Sequence, residues 1–308
     1  MFKPKIKVIG IGGAGCNTIS RIASNSLKGI EFFSVNTDAQ ALRNNFSPNK
    51  ILIGEKITGG LGTGMDWKLG LRAVRESEEN LKEVLKGAEI VFLTCGLGGG
   101  SGTPAVSVLG EISKRMGILT LAVVTLPFSF EGDLRRRVAK LGLENLKKNV
   151  DAFLTIPNDR VLKISGKTTS VEEAFLKVDK ILVEALEGVF NLLSLSGIIS
   201  IDFADLEEIL KNSGKVLLGI GKAEGVGRAL SAASRALRSP LLDFLPKKAK
   251  GILFAVSGRD VALFEVNLIA NFIKKIADQK TKIIFGVSVD RTLKKGEIKV
   301  NLIATGVE

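Results

Sequence analysis

Histidine is absent from all 308 residues. That excludes Ser–His–Asp and Cys–His nucleophilic catalysis and any His-ligated metal site. Chemistry must then come from carboxylates, Lys, Arg, hydroxyls, backbone amides or a metal that arrives with a ligand. Cysteine is nearly absent too: Cys16 and Cys95 each sit beside a glycine loop and read as small reduced core residues, not as a disulfide framework. Long apolar runs are missing. The longest charge-free apolar stretches, Met116–Phe130 and Gly188–Ile201, fall short of the ~18–20 residues a membrane span needs. The opening MFKPKIKVIG runs directly into a strand pattern with no signal-peptide grammar, so the expectation is a cytoplasmic protein. Aromatics are few, 6%, and do not interleave with the basic residues, which argues against a specific nucleic-acid binder. The charge of +12 is spread in short runs such as Lys3/Lys5/Lys7, Arg135–Arg137 and Lys247/Lys248/Lys250. It reads as dispersed surface charge, with an unspecific affinity for anionic lipid left open.

Apolar residues make up 45% of the chain, enough for a sizeable core in one large α/β domain or two domains. Its organising stretch is Glu89–Val108, EIVFLTCGLGGGSGTPAVSV. A buried-looking strand, Ile90–Thr94, empties into Gly96, Gly98, Gly99, Gly100 and Gly102, with Ser101 and Thr103 between and after them. A helix is predicted from Pro104, since proline suits the first helical position. So many glycines let a ligand approach the backbone, and their N–H groups followed by a helix start make an anion cradle. A flexible surface loop is the bland alternative. No Lys follows the last glycine, so this is not a Walker A loop.

Other strand ends repeat the theme. Lys5–Ile9 reads as a strand, then Gly10, Gly12 and Gly15 satisfy G-x-G-x-x-G before a helix from about Asn17 to Ser24. A second strand, Glu31–Val35, ends in Asn36-Thr37-Asp38, where an acid suits a ribose contact and keeps a nicotinamide dehydrogenase in play. Gly59-Gly60-Leu61-Gly62-Thr63-Gly64 then precedes a helix predicted over Trp67 to about Leu85. Strands Leu119–Thr125 and Ala152–Ile156 also end in polar loops. One dinucleotide does not need the extra glycine loops; a single nucleotide gripped from several sides does. Helical spacing continues from Val171 to Leu193, and a second α/β pattern follows, without phosphate loops. The expected domains are 1–170 for nucleotide binding, 171–196 as a connecting helix, and 197–308 as a smaller α/β domain opening on a loop at 197–205.

Taken in order, IKVIGIGGAGCN (Ile6–Asn17), VNTDAQAL (Val35–Leu42), GLGTG (Gly60–Gly64), LGGGSGT (Leu97–Thr103), VVTLPFSFEG (Val123–Gly132), TIPNDRVL (Thr155–Leu162), GIISIDFADL (Gly197–Leu206) and the closing IATG (Ile303–Gly306) resemble FtsZ, the tubulin-like cell-division GTPase family. The resemblance implies a tubulin/FtsZ α/β fold, a Rossmann-like parallel sheet joined by a long helix to a smaller α/β domain. It implies GTP or GDP as ligand, with Mg²⁺ carried on the nucleotide.

It also implies roles. Gly12, Gly13, Asn17 and Asn36 would line the first two loops, and Gly62, Thr63 and Gly64 the γ-phosphate end. Gly98, Gly99, Gly100, Ser101, Gly102 and Thr103 would cradle the phosphates. Glu131 would take ribose hydroxyls, with Arg135 near ribose or phosphates unless it is only a solvated helix start; Asn158 would meet sugar or base. Phe175 would lie by the purine, and Asp179, one turn on, would accept from guanine N1–H and N2–H₂ unless it merely pairs with Lys177 or Lys180. Asp202 and Asp205, with Ser200, would be catalytic: head-to-tail subunits would bring these acids to the neighbour's γ-phosphate. On sequence alone the alternative is that the two acids cap the helix that follows.

Three positions depart from the family pattern. Ser101 stands for Thr, Pro104 for the last Gly, and Ser200 for Asn; the last keeps a slow or non-hydrolysing filament protein open. The family's C-terminal tail and adaptor peptide are not in the sequence given, which is then either truncated or from a form with another membrane route; division-ring regulators and membrane adaptors are expected partners by the resemblance, and an anionic membrane is an alternative one. The resemblance places the protein at the mid-cell division site.

Overall fold

Every residue of β1 (Ile6–Ile11) is buried, as a strand covered on both faces must be. The structure is a computed structural model that describes residues 4–23, 29–160, 168–193, 198–239 and 249–306. The predicted helix end at Ser24, the tail of the connecting segment at 194–196, the loop start at Gly197 and the Lys247/Lys248 pair lie outside the described residues. The chain divides into two compact units, Met1–Glu184 and Ala185–Glu308.

In the first unit, β1 lies between β2 (Ile30–Asn36) and β4 (Ile90–Gly96). β3 (Asn49–Leu52) joins β2, and β5 (Leu119–Leu126) and β6 (Ala152–Pro157) extend the other side. Each of these pairings is parallel, so the order is β3-β2-β1-β4-β5-β6 and every carboxyl end opens on one edge. Ligands bind at that edge in open α/β sheets. The core packs Ile9, Ile11, Val35, Val91, Leu93 and Val124 against helices α4 (Trp67–Glu76), α5 (Glu78–Leu85), α6 (Gly102–Arg115) and α7 (Asp133–Asn149), while α1 (Gly12–Ile22) lies along β1, β2 and β4. Two short helices, α2 (Ala39–Arg43) and α3 (Glu55–Thr58), fill the second and third connections.

Three helix boundaries differ from expectation. α1 starts at Gly12, not near Asn17, so the first loop's glycines form the helix's own first turn. α6 starts at Gly102, which makes Pro104 its third residue. The N–H groups of the first turn have no intrahelical acceptor, so proline costs nothing there. The single helix expected over 67–85 is two, because the Ser77 hydroxyl turns inward to accept the buried Gly54 N–H at 2.9 Å and the chain kinks there.

Helix α8 (Val171–Leu193) carries the boundary between the units, and its buried stripe, Ala174, Val178, Leu182, Ala185, Leu186 and Val189, is the one the spacing predicts. In the second unit β7 (Gly214–Glu224) and β8 (Gly251–Gly258) flank β10 (Glu297–Thr305) antiparallel, and β9 (Lys282–Val289) joins β8 in parallel. Helices α9 (Phe203–Leu210), α10 (Arg228–Leu237) and α11 (Leu263–Ile276) complete it. α10 turns an alanine face, Ala229, Ala232, Ala233 and Ala236, to the core.

Candidate nucleotide site

The parallel edge gathers the loops after β1, β2, β4, β5 and β6. At the first, α1 lies close on the sheet: a Cβ at Gly15 would come within 2.3 Å of the Thr94 carbonyl oxygen. Gly12 opens the helix at φ +68°, a left-handed value that favours glycine. Gly13 has open space where a Cβ would stand, as does Gly99 in the loop after β4, so both loops present bare backbone. The ends of that second loop are stapled by Thr103, whose Oγ1 accepts the Gly98 N–H at 2.9 Å. Gly102 continues directly into α6, placing the orphan N–H groups of a helix start at the cradle.

The loops are tied to one another. Asn36 accepts the Thr37 N–H on Oδ1 at 2.9 Å, and the Thr37 carbonyl accepts the Gly62 N–H at 3.2 Å. Thr37 Oγ1 lies 2.6 Å from Ser101 Oγ, and Thr63 Oγ1 lies 3.2 Å from the same oxygen. Thr63 is buried, while Gly64 beside it is exposed. Asp38 does not await a ribose: its carboxylate caps α2 by accepting the Ala41 N–H at 2.9 Å. That removes the acidic contact on which the dehydrogenase reading leaned.

Glu131 accepts the Phe128 N–H at 2.7 Å and pairs with Arg135 at 3.1 Å, so it shapes the loop after β5 and holds Arg135 at once. The buried Nε of Arg135 and the buried Oδ1 of Asn158 lack hydrogen-bond partners. Buried polar groups of this kind are normally paired, so two orphans at the loop edge fit a ligand with polar groups of its own. Phe128 stacks on Phe130 (4.9 Å) and receives Phe175 edge-on (5.1 Å), leaving Phe175 partly exposed.

Asp179, one turn beyond Phe175 on α8, pairs with Arg21 of α1 at 3.1 Å. That partner is neither of the lysines the sequence suggests. Burial pushes the Asp179 carboxyl above its ordinary value, and the Arg21 charge opposes the shift. Asn17 is exposed one turn before Arg21 on α1. Arg21 and Thr37 are the residues that sequence reasoning missed. The available signals were the four-residue spacing from Asn17 and a hydroxyl wedged between Asn36 and Asp38. Burial drives both thiols away from reactivity, Cys16 to about 12 and Cys95 also upward, in keeping with inert core roles.

In the second unit, Ile199 bridges Val287 of β9 through two backbone hydrogen bonds of 3.2 and 2.9 Å, which fixes the loop ahead of α9. Ser200 and Asp202 on it are exposed, and Asp205 is half-buried in the first turn of α9. Asp202 holds the N-cap position, yet its carboxylate makes no cap hydrogen bond. Helix capping therefore leaves that acid uncommitted.

Residues 5–166 match the model of the Tubulin/FtsZ family, GTPase domain, and residues 214–308 that of the FtsZ family, C-terminal domain. The chain is 44% identical over 306 residues to Cell division protein FtsZ 1 of Pyrococcus abyssi, across 99% of this chain and 82% of that one; the Thermococcus kodakarensis counterpart matches equally. Among solved structures, the empty FtsZ dimer of M. jannaschii superposes with a TM-score of 0.93 at 41% identity, covering 100% of this chain and 89% of that one. The GTPγS-bound CetZ2 protofilament of Haloferax volcanii, 23% identical, shares the fold at a TM-score of 0.84, over 99% and 93% of the two chains. With both halves matched and relatives aligned along nearly its whole length, the chain belongs to the tubulin/FtsZ family of cell-division GTPases.

Proposed function

We propose that this GTPase completes its active site only by assembling head to tail, with Asp202 and Asp205 of one subunit acting on the GTP held by the next. The supporting observation is an inventory of carboxylates. The acids bordering the nucleotide loops are already engaged: Asp38 and Asp66 cap helices, Glu131 and Asp133 pair with Arg135 and Arg136, Asp159 accepts the Ser129 N–H, and Asp179 pairs with Arg21. Each of these acids, among the described residues, already has a partner within its own unit. The exposed Asp202 is uncommitted by capping and sits on a pinned loop of the other unit. A second copy would supply it, and such a heterologous contact does not close, so it builds a filament.

In this reading residues 1–170 bind the nucleotide, 171–196 connect, and 197–308 bring the acids. Backbone N–H groups of Gly12, Gly13 and Gly98–Thr103 hold the phosphates. Arg135 and Asn158 meet the sugar with their idle atoms. Phe175 packs on the purine while Asp179 reads the guanine edge, a donor pair that adenine lacks. The open backbone at Gly13 and Gly99 and the orphaned atoms fit such a ligand. Mg²⁺ bound to the nucleotide would offset phosphate charge. The acids would then position and polarise the attacking water. A filament at the mid-cell division site follows from the family's role. Among the described residues no helix is long and apolar enough to cross a membrane. The charge of +12 is the motive for an anionic-lipid contact, read out by vesicle sedimentation at varied lipid charge.

The test is GTP turnover and light scattering measured together across protein concentrations. Turnover per subunit rises as filaments form. Turnover independent of concentration sinks the shared site. Assembly with GTP but negligible phosphate release would favour the slow filament that Ser200 suggests.

A further inference from the structure

Two hydroxyls from two loops converge on that of a third, Ser101. Thr37 Oγ1 is 2.6 Å and Thr63 Oγ1 3.2 Å from Ser101 Oγ. Thr37 is fully buried, at 0% exposure, and Thr63 is buried too. The Thr37 backbone is also committed, its N–H to Asn36 and its carbonyl to Gly62 N–H and Thr58 Oγ1. The side chain is thereby held in place. Convergence this close needs glycine at position 100, where a Cβ would stand 2.4 Å from Thr63 Oγ1.

Proton counting fixes the direction of these bonds. A hydroxyl has one proton and two lone pairs. If Ser101 gave its proton to Thr37, the Thr37 proton would be stranded away from water, at a cost of about 1–3 kcal/mol. The favoured arrangement has Thr37 donating to Ser101. Ser101 then keeps its own proton for an acceptor in the cradle. A chain of this kind polarises its last O–H and strengthens it toward an anion.

We infer that Thr37 is a positioning residue that aims the Ser101 hydroxyl at phosphate and, by satisfying Ser101, leaves Thr63 free to turn to the γ-phosphate. The inference rests on the nucleotide reading above, with Thr63 at the γ end. The looser 3.2 Å contact is the one that yields; the tight 2.6 Å contact is the anchor. Without the Thr37 hydroxyl, Ser101 competes with the γ-phosphate for the Thr63 proton. A diphosphate ligand has no γ-phosphate and sets up no such competition. Removing the hydroxyl therefore penalises triphosphate more than diphosphate.

Thr37→Val keeps the shape and deletes the hydroxyl; Thr37→Ser restores it. Affinities of the full chain for GTPγS and GDP are measured by competition with a fluorescent guanine nucleotide. The expected result is a fall of about tenfold in the GTPγS-to-GDP affinity ratio for Val, the size of one charge-assisted hydrogen bond, and a wild-type ratio for Ser. In a Ser101→Ala background, Thr37→Val should move the ratio no further. An unchanged ratio in Thr37→Val, even with both affinities reduced, overturns the inference, as does an effect that persists without the Ser101 hydroxyl. Should the Val variant not fold, Thr37→Ala and Ser101→Ala read the same ratio, and an unchanged ratio in both overturns it equally. Failure of the unaltered chain to bind either nucleotide is a different result and overturns the nucleotide reading itself.

Discussion

The two units use polar groups in opposite ways. Around the edge of the first sheet, glycine backbone stands open, Asn158 and Arg135 keep buried atoms idle, and three hydroxyls meet in a chain. In the second unit the corresponding helix start is closed upon itself. Arg228 at the head of α10 binds Glu265 of α11 through Nε and Nη2 at 2.6 and 2.8 Å, and Asp260 through Nη1 at 2.7 Å. Asp260 in turn accepts the Gly296 N–H, and Glu265 caps α11 through the Ala262 N–H. At its sheet edge one unit keeps hydrogen-bonding capacity open, while at the head of α10 the other spends it on its own loops. The loop before α9 departs from this in the second unit, since the Asp202 carboxylate does not cap its helix, and so do Ser213 Oγ and Asn301 Oδ1, which are buried without partners.

The acids at the start of α9 carry the largest expected effect. Asp205→Ala, a change in the second unit, should lower GTP turnover by roughly 10²–10³-fold while GTP affinity stays within about twofold, because it removes a group that acts only on the transition state. Phosphate release and nucleotide affinity measured on one preparation check it. Full turnover would reduce the contrast between the units to a simple split between ligand and scaffold.

Next comes base choice. Asp179→Asn replaces an acceptor by a side chain that also donates, so GTP affinity should drop roughly 10–100-fold and xanthosine triphosphate should gain relative to it. The carboxylate must be ionised to accept from guanine. Its value is raised by burial, so GTP affinity should begin to fall at a higher pH than an ordinary aspartate would give. Arg21→Ala removes the opposing charge and should move that fall higher still. A titration of affinity against pH for both forms decides it.

Paired glycine substitutions sharpen the comparison. A Cβ at Gly15 would come 2.3 Å from Thr94 O, and one at Gly221 of β7 would come 2.0 Å from Ala232 O of α10. Both alanine variants should lose about 1–3 kcal/mol of stability from overpacking. Only Gly15→Ala should also weaken GTP binding, since α1 carries the first loop. Denaturant midpoints with and without GTP separate the two.

The smallest effect concerns the closed cluster. Hydrogen bonds from Arg228 hold the Glu265 and Asp260 carboxyls below their ordinary values. Depressed carboxylates stabilise the fold above their unfolded values, and that stability is lost as pH falls through the folded ones. Arg228→Met should thus lower the unfolding midpoint at neutral pH. The deficit should shrink below the ordinary Glu value of 4.5, and GTP affinity should not change.

Much of this was legible in the chain. The run Ile90–Thr94 reads as a doubly covered strand and is one, because burial dictates it, and the glycines at 98, 99, 100 and 102 read as a loop that leaves backbone open, as it is at Gly99. The stripe on α8 follows from helical spacing alone, and an ordered series of motifs carried the family. Other features depend on residues distant in sequence. The kink at Ser77 arises because Gly54 needs an acceptor, 23 residues away. Arg21, not a neighbouring lysine, meets Asp179 because the fold brings this residue of α1 within ion-pair reach of α8. The meeting of Thr37, Thr63 and Ser101 joins three loops separated by up to 64 residues. Sequence pattern reports what a residue does to its own backbone and face. Which donor finds which acceptor is decided only when the sheet edge gathers the loops, since a hydrogen bond depends on position to a few tenths of an ångström.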